Sequence, residues 1–410
     1  MCGIAGFCNF KEDFEENTDY WNFRLEKMRA VLAHRGNDAR GRFLKKHIGL
    51  SHSRLAIRDI LCGDQPMTRT HNGYDYTICY NGEIYNTDEL IPELSENGFV
   101  CSTTSDTEVI LYAYIHWGAD FVNRLNGIFA FAIWDAAKNR LLLYRDRVGV
   151  KPLFYAIRGD SLVFGSEPKA CFAHPAVKPE LDKQGLQELL AIGPAHTSGL
   201  SLFKDLFEVL PGHFMIYSQN GLHDETYWEL TSREHTESYQ DTVAHTRFLV
   251  EDAIKRQMVS DVPVCTFLSG GIDSSIVTAI AANYMNTRGK TLNTFSFDFK
   301  DNDRYFKANA FQPERDLPYV NRMLEEYETA HSYLECDENS LFKALFAAVD
   351  AKDMPGMTDV DSSLLYFCSL VSRKNKVALT GECADEIFGG YPWFYRKELL
   401  ERYGFPWSSD

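Results

Sequence analysis

Apolar positions follow two different rhythms along the chain. Up to about residue 230 they fall in short alternating or continuous runs, at 47–57, 75–80, 127–135, 140–144, 161–165 and 212–218. Runs of this length, bounded by glycine, asparagine and aspartate, predict β-strands. Helical spacing interleaves at 19–34 and 106–117. The polar stretch 231–238 reads as a linker. Beyond it the rhythm changes to a helix over 239–260, a short apolar strand from Val262, a helix after Gly271, a strand over 292–299, a helix over 362–375 and a strand over 376–379. Strands alternating with helices predict a parallel α/β sheet. The chain therefore reads as two domains, 2–230 and 231–410.

Composition narrows the class. The 410 residues are 45% hydrophobic and 24% charged, which is ordinary for a globular protein. A net charge of −16 disfavours a nucleic-acid partner. No apolar stretch reaches the ~18 residues of a membrane span, and no leader sequence is visible. The 10 cysteines show no Cys-x-x-Cys, which reads as reduced thiols in a cytoplasmic protein. Cys8, Cys79, Cys265 and Cys368 sit in apolar runs and are expected in the core. Assembly as a homodimer is left open.

Chemistry enters at the N-terminus. Cys2 follows Met1 directly, so removal of Met1 leaves a thiol and an α-amine on one residue. The amine titrates near pH 8, within about a unit of a thiol, and can serve as the base of a nucleophile–base pair. Position alone equally allows a small residue buried in a first strand. The second feature is Leu268-Ser269-Gly270-Gly271-Ile272-Asp273-Ser274 after the strand from Val262. Strand, glycine turn and helix N-terminus present unpaired N–H groups to an anion, and Asp273 suits a magnesium ion carried by phosphates. The lysine of a kinase-type phosphate loop is absent, which points to adenylation with pyrophosphate release. A third feature is Thr380-Gly381-Glu382-Cys383-Ala384-Asp385-Glu386. Glu382, Asp385 and Glu386 would share one face of a helix, and concentrated like charge asks for a cation.

These features, in this order, resemble the glutamine-hydrolysing asparagine synthetases, class II glutamine amidotransferases fused to an ATP-pyrophosphatase domain. The resemblance covers the whole chain and includes the blocks His34-Arg35-Gly36, Ser53-Arg54-Leu55-Ala56-Ile57, Asn81-Gly82-Glu83, Ser105-Asp106, Arg145-Asp146-Arg147 and Ser166-Glu167-Pro168-Lys169. It implies an N-terminal-nucleophile αββα sandwich followed by a parallel α/β nucleotide domain. It implies Cys2 as nucleophile and Asn81 with Gly82 as the oxyanion hole; one such donor is worth ~3 kcal/mol. Arg54 would clamp the α-carboxylate of glutamine, with Leu55, Ile57, Glu83 and Asp106 completing that site. ATP would contact Leu268, Ser269, Gly270, Gly271, Asp273, Ser274, Phe297, Thr380 and Gly381. Glu382 would assist aspartate adenylation, and Asp273 and Asp385 would hold Mg2+ through pyrophosphate. Asn81-Gly82 also reads as a tight turn after a strand.

Two departures are visible. The family places proline after His34-Arg35-Gly36, whereas Asn37 stands here, so a looser loop is expected. The family's synthetase domain also continues past the Gly-Glu-x-x-Asp-Glu segment to a lysine that contacts the α-phosphate. This sequence stops at Asp410, and the 403–407 stretch reads as the start of a further element. A synthetase half incomplete at its C-terminus is therefore expected, in a chain that hydrolyses glutamine but makes little asparagine. The alternatives are a related synthetase acting on another carboxylate, and a non-catalytic binding subunit.

Overall fold

Side-chain alternation on the strands of the N-terminal half builds two facing sheets. The computed structural model describes residues 1–308 and 314–401; the 403–407 stretch lies outside them. One compact unit comprises Met1–Thr236 and Leu345–Asp361, and the other comprises Glu237–Ala344 and the residues from Ser362 onward.

In the first unit, one antiparallel sheet is ordered β10 (Phe207–Glu208), β8 (Phe154–Arg158), β9 (Ser161–Gly165), β1 (Gly3–Asn9), β3 (Ile48–Arg54), β2 (Ala39–Lys45). The other is ordered β12 (Gly221–Thr226), β11 (His213–Ser218), β7 (Arg140–Arg145), β6 (Gly127–Asp135), β5 (Tyr74–Ile84), β4 (Met67–His71). Ile4 and Cys8 of β1 pack with Ala130, Ala132 and Trp134 of β6, forming the core between the sheets. The intervening Ala5 and Phe7 turn outward onto Trp21, Leu25 and Met28 of α1 (Thr18–Ala30). Phe129, Phe131 and Ile133 of β6 turn outward on the far side, onto α2 (Thr87–Glu96) and α3 (Asp106–Trp117). A period of two on strands with both faces covered thus yields helix, sheet, sheet, helix. Each fully buried large apolar side chain contributes about 1.5–3 kcal/mol.

Several elements keep their expected bounds, among them Asp106–Trp117, Gly127–Asp135 and Ser161–Gly165. Two expectations need correction. The helix expected over 19–34 stops at Ala30, and Ala33–Arg35 forms a separate 3₁₀ turn. Gly36 lies against the backbone of Arg54 and Leu55, too close for any Cβ, so the chain leaves the helix there. Asn81 and Gly82 form no turn. They lie inside β5, paired with Ala130 and Phe129 of β6. The hairpin turn sits earlier, at Asn72 (φ 51°) and Gly73 (φ 80°), and joins β4 to β5.

The second unit holds a four-stranded parallel sheet ordered β15 (Thr329–Cys336), β14 (Leu292–Phe299), β13 (Val264–Phe267), β16 (Val377–Leu379). The chain steps from β13 to β14 and β15 on one side, then crosses to β16 on the other. The carboxyl ends of β13 and β16 therefore flank a topological switch point, where α/β sheets place their ligands. The two helices expected over 239–260 and 362–375 run Tyr239–Gln257 and Thr358–Val371. All ten cysteines are unbridged, with Cys8, Cys79 and Cys265 buried and Cys368 half-buried. No helix among the described residues is long and apolar enough to cross a membrane.

Candidate active site

The ends of β3 and β5 and the start of β1 meet at one edge of the gap between the two sheets. There a pocket is lined by Cys2, Arg54, Leu55, Ile57, Gly82, Glu83 and Asp106, together with Arg58, Gln65, Tyr80 and Thr107. Four chain segments supply these residues. Every residue expected at the glutamine site is among them except Asn81, the neighbour of Gly82.

Cys2 precedes β1, and its Sγ lies 3.4 Å from the Leu55 N–H and 3.6 Å from the Leu55 carbonyl oxygen. Burial pushes the thiol up; the Leu55 N–H, the terminal amine and Arg54 act the other way. Burial takes the terminal amine of Met1 down to about 5, assisted by Arg35 and Lys151. An amine in this corner is thus neutral at physiological pH, as a base requires.

Asn81 is 1% exposed, and among the described residues neither its Oδ1 nor its Nδ2 has a hydrogen-bond partner. A buried amide left unpaired costs ~1–3 kcal/mol, and such groups concentrate at functional sites. Glu83 and Asp106 share the pocket. Burial, then the Asp106 charge, push Glu83 up to about 8. Burial also raises Asp106, opposed by Arg58, by the Ile84 N–H and by the Tyr80 hydroxyl. Asp106 Oδ2 accepts from Tyr80 at 2.9 Å and from Ile84 N at 3.0 Å. Ser105 caps α3, its hydroxyl accepting from Thr107 N, so Asp106 sits at a helix N-terminus that favours its anion.

Arg54 departs from the simple clamp. Its Nη1 donates to Ile60 O at 3.1 Å and Asp64 Oδ1 at 3.0 Å, and its Nη2 to Arg58 O at 3.3 Å and Asp59 O at 2.5 Å. The guanidinium thus holds the 58–64 loop while lining the pocket. The loop at Asn37 is tied as well, although proline is missing. Asp38 N donates to Arg54 O at 2.9 Å, and Asp38 Oδ2 accepts from Ala56 N at 2.8 Å. Sequence reasoning did not single out Arg58, Gln65 or Tyr80 for this site. Arg58 follows Ile57 directly, and Tyr80 is fixed between Cys79 and Asn81 by strand alternation, so adjacency was the available signal.

In the second unit, Leu268, Ser269, Gly270 and Gly271 connect β13 to α7 (Ile272–Asn286). The Ser274 hydroxyl accepts from Ser269 N at 3.2 Å and donates to Gly271 O at 3.1 Å. Thr380 and Gly381 follow β16, and a Cβ on Gly381 would lie 2.8 Å from both Asp273 Cβ and Ser274 N. The two loops therefore meet at the switch point. Phe297 lies on neighbouring β14, its ring 5.1 Å from that of Phe367. Burial, then the Asp385 charge, raise Asp273, so these two carboxylates are neighbours. Glu382 is not on a helix with them. Cys383 is left-handed (φ 70°) and the helix spans only Ala384–Phe388, so the expected single acidic face is broken and Glu382 sits in the preceding turn.

Comparison with known proteins agrees with both halves. Residues 1–228 match the glutamine amidotransferase domain model, and residues 245–409 match the asparagine synthase model. Asparagine synthetase [glutamine-hydrolyzing] 3 of Bacillus subtilis is 48% identical over 411 residues, covering 100% of this chain and 66% of the relative. A Methanocaldococcus jannaschii protein with the provisional name asparagine synthetase [glutamine-hydrolyzing] 2 is 32% identical, over 95% of this chain and 76% of its own length. Amidase chyE of Penicillium rubens is 31% identical over 100% of this chain and 62% of its own length. The chain thus spans 66% of the first of these relatives and 62% of the last. With one family model over more than half of the chain and the archaeal relative matched along three quarters of its length, the chain belongs to the glutamine amidotransferases, in the glutamine-hydrolysing asparagine synthetase family.

Proposed function

We propose that the protein carries out glutamine-dependent asparagine synthesis, with residues 2–230 as the glutaminase domain and 231–410 as nucleotide-binding sequence. The observation that carries this reading is the pocket joining Cys2 to Gly82, Glu83 and Asp106 beside the unpartnered Asn81 amide. After removal of Met1, the Cys2 amine takes the thiol proton and the sulfur attacks the side-chain carbonyl carbon of glutamine. Asn81 Nδ2 and the Gly82 N–H receive the oxyanion. Ammonia leaves with the proton returned by the amine, and water then cleaves the thioester to release glutamate.

In the second half-reaction, ATP would bind at the switch-point loops through Leu268, Ser269, Gly270, Gly271, Ser274, Thr380 and Gly381. The neighbouring carboxylates Asp273 and Asp385 are the hard oxygen donors a Mg2+–pyrophosphate needs. Glu382 would assist attack of the aspartate β-carboxylate on the α-phosphate. The products are β-aspartyl-AMP and pyrophosphate, and ammonia then displaces AMP to give asparagine. Ten unbridged thiols support a cytoplasmic location.

The similarity to Amidase chyE favours one second reading, in which the same two half-reactions serve another carboxylate. ATP–pyrophosphate exchange with and without aspartate separates the readings, run beside a glutamate-release assay. Aspartate-dependent exchange supports asparagine synthesis; exchange that ignores aspartate overturns that acceptor. No glutamate release would overturn the glutaminase assignment.

A further inference from the structure

We infer that Arg58 is a positioning residue of the glutamine site, which acts through Asp106 and favours that carboxylate's anion so that it can take the α-ammonium of the substrate. The inference rests on the pocket being the glutamine site.

Arg58 lines the pocket with a side chain only 14% exposed. Its Nη1 donates to Ile84 O at 2.9 Å and its Nη2 to Thr87 Oγ1 at 3.2 Å, which leaves Nη1 4.0 Å from Asp106 Oδ2. The same Ile84 peptide donates its N–H to Asp106. The backbone of one residue, Ile84, thus holds the guanidinium by its carbonyl and the carboxylate by its N–H, and the 58–64 loop and the α2 N-terminus supply the framework.

Two carboxylates buried in one small pocket cannot both ionise without a counter-charge. The other charged or titratable groups around them are Tyr80 and Tyr85 on the β5 side, Lys151, Cys2, the terminal amine and Arg54. The two Nη groups of Arg54 are engaged by Ile60, Asp64, Arg58 and Asp59. Lys151 acts on Glu83 behind Arg58. Arg58 is therefore the cation held next to Asp106, and among the charged groups it is the leading one favouring the Asp106 anion. The two acids are driven apart in function. Asp106, with Arg58, hydrogen bonds from Ile84 N, Thr107 N and the Tyr80 hydroxyl, and a helix N-terminus, is the better placed to hold the charge, while burial and the Asp106 charge favour a protonated Glu83 that keeps a donor for the amide or carboxylate of glutamine.

The test measures glutamine binding by calorimetry from pH 6 to pH 8 in full-length chain carrying Cys2→Ala, which removes turnover. Arg58→Gln and Arg58→Lys are compared in that background. Loss of a neighbouring opposite charge raises a carboxylate by about one unit or more. Arg58→Gln should therefore bind glutamine about tenfold more weakly at pH 6, and the deficit should shrink to within about threefold by pH 8 as Asp106 loses its proton. Arg58→Lys keeps the charge and should follow the parent profile. In the Cys2-containing enzyme, Arg58→Gln should raise KM at pH 6 with kcat within about threefold. A deficit equal at both pH values, or Arg58→Lys as poor as Arg58→Gln, overturns the inference in favour of a purely structural arginine. Failure of the Cys2→Ala protein with Arg58 intact to bind glutamine overturns the glutamine-site reading itself, a separable outcome.

Discussion

The Nε of Arg35 donates to the carbonyl oxygen of Cys2 at 2.9 Å, and its Nη1 donates to Glu167 Oε1 at 2.6 Å. Cys2 is thereby anchored through its backbone and not through its thiol. Glu167 is itself held, with His34 Nε2 at 3.0 Å from Oε1 and Lys169 Nζ at 3.2 Å from Oε2. Lys169 continues the line to Asp353, 3.3 Å away. Arg35, Glu167 and Asp353 have side chains at most 14% exposed. Charge alternates along the line, and each member neutralises the next, as burial demands.

Glu167→Gln tests how much that anchor contributes. Burial alone would raise the Glu167 carboxyl, but the hydrogen bond from His34 and the charge and hydrogen bond of Arg35 outweigh it, leaving about 2. A carboxylate held below its unfolded value stabilises above the unfolded value of ~4.3 and loses that contribution as pH falls toward 2. The variant should thus unfold about 2–3 kcal/mol more easily at pH 7, with the gap narrowing by pH 3. Urea midpoints at the two pH values check this, and a gap independent of pH would show that the charge is not what stabilises.

Asn81→Ala should separate activity from stability. The native amide is buried with no partner, so its removal abolishes a donor without stranding another group. Glutamate release should fall by about 10²–10³ in kcat, as for loss of an oxyanion donor, with KM within a few fold. Thermal stability should hold or rise. A kcat near wild type would remove Asn81 from the oxyanion hole, and a large drop in stability would mean its amide is paired after all.

Much of this was readable from residue order, and the misses share a cause. Strands with an unbroken period of two, such as Gly127–Asp135, and the α3 helix starting at the Ser105 cap, carry their own boundary signals. Asn81-Gly82 misled because the dipeptide is locally turn-forming while Ala130 and Phe129 of β6 pair it from far along the chain, and long-range pairing outranks local propensity. The acidic face of Glu382, Asp385 and Glu386 failed because Cys383 adopts a left-handed conformation with nothing in its residue type to announce it. Arg58 and Tyr80 became site residues only once the β3 and β5 ends met, a tertiary fact that spacing does not encode.

The pH profile of glutamate release should place the amine base well below its free value. Burial and the neighbouring Arg35 and Lys151 lower the terminal amine of Met1 to about 5, and after loss of Met1 the same two cations should lower the Cys2 amine. A lowered amine is neutral at pH 7 and gains a proton only as pH falls through its own value, so kcat/KM should stay flat through neutrality and drop on the acid side. An acid limb centred near 8 would mean the amine is solvated. Retained Met1, read by intact mass, should coincide with an inactive fraction.

Adjacent glycines of the loop between β13 and α7 should respond in opposite ways to alanine. Gly270 has φ 85°, and a Cβ there would lie 2.8 Å from Tyr319 Cβ and 2.9 Å from Asp316 O. An alanine must therefore take up a left-handed backbone, at about 1–2 kcal/mol, and also push the helix Leu317–Glu326 away from the loop. Gly271 has φ −66° and ψ 161°, which any residue adopts, and a Cβ there would meet only Ser269 Oγ at 3.4 Å. Gly270→Ala should lower the thermal midpoint of the unit that holds the parallel sheet, and, if the proposed ATP site is right, ATP binding should weaken more than tenfold because the loop loses the shape fixed by the Ser269 N–H to Ser274 and Gly271 N–H to Ser269 hydrogen bonds. Gly271→Ala should leave stability unchanged. Any loss of Mg–ATP affinity in that variant then reports how closely a phosphate approaches the Gly271 backbone, since no protein atom obstructs the added methyl. Equal destabilisation of both variants would contradict the steric argument. Full ATP affinity in both, measured by equilibrium dialysis, would remove this loop from the nucleotide site.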